Sequence, residues 1–154
     1  MRRLLVIGLL TLSACGSPQT PSTSSSSATA PAQVDRQPEI ADLPAPYNEA
    51  NYEAGRRAFA QCRSCHVIQA GAPNRVGPNL HGVFGRHTGT APGFTYSQAL
   101  QNADFIWDAD HLDHWLQNPQ TFLPGTRMAF PGVHDDTQRR DLIAYLMIES
   151  KPDE

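Results

Sequence analysis

The chain has 154 residues, with 12 basic and 15 acidic side chains giving a formal charge of −3, and contains three cysteines. That length holds one domain with residues to spare. Lys151 is the only lysine, no basic patch is present and no glycine loop suits a phosphate, so nucleic-acid and nucleotide binding are both disfavoured.

The spare residues are at the front. "MRRLLVIGLLTLSAC" joins a basic start, an apolar run from Leu4 to Leu12 and small residues. This pattern predicts a secretory signal peptide over residues 1–14. An apolar run of about ten residues is too short for a bilayer span of roughly 20. Leu12-Ser13-Ala14-Cys15 resembles the bacterial lipobox, which implies cleavage before Cys15 and lipidation of its thiol. Gly16 and Ser17 lack the aspartate that retains some lipoproteins at the inner membrane. Removal of Arg2 and Arg3 leaves ten basic against fifteen acidic side chains, a charge near −5. Residues 15–46, rich in Ser, Thr, Pro and Ala, are expected to form a disordered tether with a reach of about 30 Å. The globular head is expected over 47–150, and 151–154 as a tail.

"NEANYEAGRRAFAQC" (48–62) predicts an amphipathic helix carrying Tyr52, Phe59 and Cys62. It leads into Cys62-Arg63-Ser64-Cys65-His66. A dithiol of thioredoxin type would need a strand-turn-helix setting, and no strand pattern lies near residue 60. A structural zinc site needs two more ligands, and no further cysteine is available once Cys15 carries lipid. A disulfide across so short a loop would constrain little of the unfolded chain. His66 decides the matter: C-x-x-C-H is the attachment motif of c-type haem. The thiols lie at i and i+3 on one helical turn, and the adjacent histidine is placed to ligate the iron.

Further helices are predicted at 97–102, 109–117 and 119–123. The last, "DDTQRRDLIAYLMIES", is capped by Asp135 or Asp136 and places Leu142, Tyr145 and Leu146 on one face. Between these, Met128 sits in "PGTRMAFPG", where prolines and glycines ask for no helical face. A thioether there suits an axial ligand opposite histidine. Met147 reads as packing in the last helix.

"GPNLHGVFGRHTGTAPGFTYSQAL" (77–100), "LQNPQTFLPGTRMAFPGV" (116–133) and "RRDLIAYL" (139–146) together resemble mitochondrial cytochrome c and its bacterial class I relatives, from about Asn51 to Ile148. The resemblance implies an all-α fold of short helices wrapped around one covalent haem c, with thioethers at Cys62 and Cys65 and iron ligands His66 and Met128. It implies that the first and last helices cross, with Gly55 permitting close approach and Phe59 meeting Leu142 and Tyr145. It further implies that the Pro78 carbonyl orients His66, that Tyr96 and Trp107 bond a haem propionate, that Arg86 offsets its charge, and that Thr126 lies beside the haem edge.

Several positions depart from the family pattern. Trp115 replaces a tyrosine that bonds the methionine sulfur, Leu100 replaces a pocket asparagine, and the loop before Cys62 is one residue shorter. Gln120 and Thr121 stand where the family has a lysine pair, which implies weak steering toward acidic partners. His111 and His114 share a helix face but lack supporting ligands. They read as solvent-exposed polar residues rather than a metal pair; His81 and His87 carry no assigned role, and His134 is the substitute ligand if Met128 were lost.

The expected function is single-electron transfer, not enzymatic catalysis, by a monomer anchored through Cys15 on the outer face of a bacterial membrane. By resemblance, a cytochrome bc complex is the donor and a terminal oxidase or photosynthetic reaction centre the acceptor. Competing readings are a haem-based sensor or peroxidase-like enzyme with a labile Met128, and a fixed subunit of an oxidase complex.

Overall fold

The computed structural model describes residues 35–152; the expected signal peptide, Cys15 and most of the expected tether lie outside them. Six helices follow in order: α1 (Gln37–Ala41), α2 (Tyr52–Phe59), α3 (Gln98–Asn102), α4 (Ala109–Gln117), α5 (Pro119–Phe122) and α6 (Asp136–Glu149), with a 3-10 turn at Tyr47–Glu49. Among the described residues the only β pairing is a single bridge between His87 and Ile106. No described helix is long and apolar enough to cross a membrane.

From α2 onward, each helix begins where a short polar side chain satisfies a free backbone N–H. Asn51 accepts from Ala54 N at 2.8 Å, Ser97 from Leu100 N at 3.4 Å, Asp108 from His111 N at 2.8 Å, Asn118 from Thr121 N at 3.0 Å and Asp135 from Gln138 N at 2.7 Å. These caps put helix starts within a residue of the sequence expectation, except in α2. There the pattern suggested 48–62, but Asn51 caps the helix three residues later. At the other end the chain tightens beyond Phe59: Ala60 N bonds Arg57 O at 3.1 Å and Cys62 N bonds Phe59 O at 2.9 Å. Such i to i−3 bonds turn the chain early, into the cysteine loop.

Helices α2 and α6 cross at Gly55. A Cβ there would sit 2.1 Å from the Asp141 carbonyl oxygen and 2.7 Å from Tyr145 Cβ, so only glycine lets the backbones meet. Tyr145 packs its ring against both Tyr52 and Phe59, each at 5.4 Å between centroids. Asn51 N donates to Asp141 Oδ1 at 3.0 Å and pins the start of α2 to α6. The sequence predicted one apolar face on α6, but Leu142, Ile143, Ala144, Tyr145, Leu146 and Ile148 are all buried. Helices α1, α2 and α4 pack around it, so α6 is the axis of the head and has almost no solvent face. Arg139, 4% exposed, donates to Asp113 on α4 at 2.7 Å, to Asp136 at 2.9 Å and to the Val133 carbonyl at 2.9 Å. A buried guanidinium holds its charge only with acceptors on several sides, and it has them.

The expected boundary at residue 47 needs correction. Helix α1 lies inside the segment assigned to the tether, and its Ile40 is completely buried in the core. Gln37 spans the join: its Nε2 donates to Ala50 O at 2.9 Å, and its Oε1 accepts from Tyr52 N at 2.8 Å. Arg36 pairs with Glu39 at 3.0 Å and with Glu149 of α6 at 3.4 Å. The head therefore begins near residue 36. Composition hid this because one isoleucine in a polar, proline-rich stretch carries no periodicity, although burying such a side chain is worth about 2 kcal/mol.

Candidate cofactor site

The turn after α2 closes on itself. Cys65 N and His66 N both donate to the Cys62 carbonyl, at 3.0 and 2.9 Å, which brings two half-buried thiols within one turn. Neither is in a disulfide. Burial, with the neighbouring Cys65 thiol adding less, pushes the Cys62 thiol up to about 11. That is the reverse of a redox dithiol, whose attacking thiol is acidified. No group of three or more His, Cys, Asp or Glu among the described residues could hold a metal ion. Two thiols on one turn suit addition across two vinyl groups, one thioether each.

His66 is held from two directions. Its Nδ1 lies 2.8 Å from the Pro78 carbonyl, an acceptor, so Nδ1 carries the proton and Nε2 is left with its lone pair. A Cβ at Gly77 would fall 2.3 Å from Cε1 of the ring, so this backbone forms a flat wall against the imidazole. Burial lowers the His66 pKa, opposed by the Pro78 bond, and favours the neutral ring that a metal needs. The segment bearing Gly77 and Pro78 is laced to the cysteine turn by Gly77 N to Cys65 O at 2.9 Å and Leu80 N to Val67 O at 2.8 Å.

Asn79 organises the next turn, and sequence reasoning passed over it. Its Nδ2 donates to Gln69 O and Ala72 O at 2.8 and 2.9 Å, its Oδ1 accepts from His81 N at 2.8 Å, and its carbonyl takes both Arg86 terminal nitrogens at 3.1 Å. Its position directly after Pro78 was the available signal. Arg86 is half-buried, and burial lowers its pKa while Tyr96 opposes the shift. Backbone bonds Gly85 N to Trp107 O (2.8 Å) and Trp107 N to Arg86 O (2.9 Å) set Trp107 beside Arg86. Burial raises the Tyr96 pKa, and its hydroxyl accepts from Ala91 N at 3.3 Å. Arg86 and Trp107 are thus backbone neighbours, and Arg86 and Tyr96 are close enough to influence each other electrostatically.

Met128 lies on the loop between α5 and α6, half-buried against the core. Thr126, 7% exposed, is beside it: its Oγ1 accepts from Met128 N at 3.3 Å. Arg127 reaches across to donate to the Thr95 carbonyl. Trp115 of α4 is 6% exposed and meets Trp107 edge-on at 5.4 Å, and Leu100 is buried as its apolar replacement implies. Met147 packs against the core from α6.

The other histidines lie elsewhere. His111 stacks on Phe105 at 4.5 Å with Nδ1 on Asp108, and His114 Nδ1 faces the Asp110 carbonyl, so both have local partners. His134 is exposed. The donor set left is one neutral imidazole nitrogen, one thioether and two thiols on a turn. The imidazole and the two thiols of the turn suit a haem held by two thioether links, to which the Met128 loop would add its sulfur.

Short helices, a C-x-x-C-H turn and a methionine loop define a class I c-type cytochrome. The cytochrome c family model matches residues 52–148, and this chain belongs to that family. Cytochrome c of Kluyveromyces lactis is 42% identical over 106 residues, covering 68% of this chain and 96% of that protein. Cytochrome c2 of Blastochloris viridis is 43% identical over 102 residues, 66% of this chain and 80% of the relative. The solved structure of cytochrome cH from Methylobacterium extorquens superposes with a TM-score of 0.60 at 41% identity, over 64% of this chain and 98% of that one. Family members are electron carriers and bind haem c covalently through two cysteines, one haem per chain; here these are Cys62 and Cys65.

Proposed function

We propose that this chain is a monohaem electron carrier in which His66 Nε2 and Met128 Sδ are the two axial ligands, held by lipid on Cys15 at the outer face of a bacterial membrane. The observation that carries the ligation is the His66–Pro78 bond at 2.8 Å with Gly77 walled against the ring, which fixes the tautomer and aims one lone pair. Haem, when bound, supplies the one-electron Fe(III)/Fe(II) couple. The protein keeps His66 neutral and immobile, offers a soft sulfur from the Met128 loop, and excludes water with Leu100, Trp107 and Trp115. Arg86, Tyr96 and Trp107 take the propionates, and Thr126 flanks the haem edge. A rigid ligand set changes little between oxidation states, which keeps reorganisation small.

The anchor rests on the signal-like start, the small residues before Cys15 and the polar stretch that follows. A head on such a tether sweeps the membrane surface, where a quinol-oxidising bc complex would donate and an oxidase or reaction centre would accept.

An optical spectrum of the detergent-extracted protein, oxidised, reduced and then exposed to carbon monoxide, tests the ligation. A low-spin spectrum with a weak far-red sulfur-to-iron band, indifferent to carbon monoxide, is expected. A high-spin or carbon-monoxide-sensitive spectrum would instead make this a ligand-binding haem protein. Cys15→Ser should move the protein from the membrane to the soluble fraction; unchanged partition would remove the lipid anchor.

A further inference from the structure

The Met128 loop is tied at both ends to the α4–α5 unit. Leu123 N donates to Pro119 O at 3.0 Å, and Val133 N donates to Leu116 O at 2.7 Å. Gly132, at φ +105°, presses so close that a Cβ would meet the Gln117 carbonyl at 2.1 Å. Between these ends the carbonyls of Thr126 and Met128 turn toward one side chain. Gln120 Nε2 lies 3.1 Å from Thr126 O and 3.1 Å from Met128 O. A primary amide carries two N–H groups, so one side chain satisfies both acceptors. Its base is firm: Asn118 caps α5 and Pro119 is fully buried.

We infer that Gln120 is a positioning residue for Met128, a two-pronged clamp that holds the sixth-ligand loop closed from outside. This rests on the proposed ligation by Met128. Gln120 is exposed, so it contributes little packing and acts through its donors. Its absence of charge, which in the sequence means only a missing steering group, is what lets it bridge two carbonyls without drawing a counter-ion. Two such bonds near solvent favour the closed loop by about tenfold over a loop without them. An outside ligand that competes with Met128 binds only the open loop, so its apparent affinity rises by the same factor when the clamp is removed.

The holoproteins of wild type, Gln120→Ala, Gln120→Glu and Thr121→Ala are titrated with imidazole while the far-red band is followed, and each is unfolded in guanidinium. Gln120→Glu keeps the shape but replaces the donors with oxygens that repel both carbonyls. Both Gln120 variants should bind imidazole about tenfold more tightly than wild type, with an unfolding equilibrium constant raised by no more than about that same factor and helix content unchanged. Thr121→Ala, one residue along the same exposed helix, should match wild type in both. Imidazole affinity within twofold of wild type in both Gln120 variants, with the far-red band present in wild type, would overturn the clamp alone. Absence of the band from wild type itself would overturn the ligation, and the clamp with it.

Discussion

The α2–α6 crossing and the loops that carry His66 and Met128 are built by different means. The crossing is filled by side chains: Phe59, Leu142 and Tyr145 close it, and Gly55 lets two backbones touch. Those loops are strung on individual hydrogen bonds to carbonyls: His66 to Pro78, Asn79 to Gln69 and Ala72, Gln120 to Thr126 and Met128. Apolar packing spreads its free energy over many contacts, whereas each polar bond contributes about 1 kcal/mol but fixes a direction. The first region therefore sets whether the head folds, and the second sets where the two proposed ligand atoms point. Substitutions in the two regions should separate stability from spectrum.

Gly55→Ala should have the largest effect. Its Cβ cannot avoid the Asp141 carbonyl at 2.1 Å unless the helices part, so a loss of more than about 3 kcal/mol is expected, a large share of a small domain's stability. Circular dichroism during thermal unfolding reads this directly, and a wild-type melting curve would mean that the crossing is looser than it looks.

Gly77→Ala strikes the other region. The added methyl would lie 2.3 Å from the His66 ring, and turning the ring away breaks the bond to Pro78. Loss of such an orienting contact costs metal ligands roughly 10- to 100-fold, so low-spin haem yield should fall by about that factor. Helix content should hardly change. A variant that loses its helices together with its haem spectrum would erase the distinction between the regions.

Ile40→Ala asks how far the packed region extends. This side chain is wholly buried outside the span of the family match, and its truncation should cost about 2–3 kcal/mol in guanidinium unfolding with an unaltered haem spectrum. A cost near zero would return residues 35–46 to the tether.

The smallest effect belongs to an exposed rim pair. Asp104 hydrogen-bonds His87 at 3.0 Å and, with the Thr88 carbonyl, raises the His87 pKa above its ordinary 6.5. The folded state then binds this proton more tightly than the unfolded chain. The pair stabilises at pH values below the unfolded pKa, and the benefit fades as pH rises through the folded one. Asp104→Asn should lower the melting temperature by about 1 °C at acidic pH and not at all at alkaline pH. An equal shift at both ends would rule out titration of His87 as the cause.

The same contrast explains what could be read in the sequence. The start of α6 was legible because Asp135 or Asp136 announces a cap, and the Cys62–His66 turn because its spacing fixes its chemistry. Met128 stood out as a candidate ligand because no helix around it asked for a methionine. Helix α1 was not, because Ile40 acts alone and its burial depends on the distant α6. Asn79 and Gln120 were hidden for a related reason: their partners are carbonyls, which every residue carries, so no residue type at the other end of the bond signals the contact. Gln120 in particular reads as a charge that is missing, although its amide reaches two carbonyls in the Met128 loop.

The ligation of iron by Met128 is tested most directly by proton NMR of the reduced holoprotein. A methyl group fixed over the haem plane is shifted far upfield by the ring current, and the sequence holds only three methionines, Met1, Met128 and Met147. The expected result is one three-proton singlet far upfield that vanishes in Met128→Leu and survives in Met147→Leu. An upfield region with no methyl singlet, or one that persists in Met128→Leu, would contradict it.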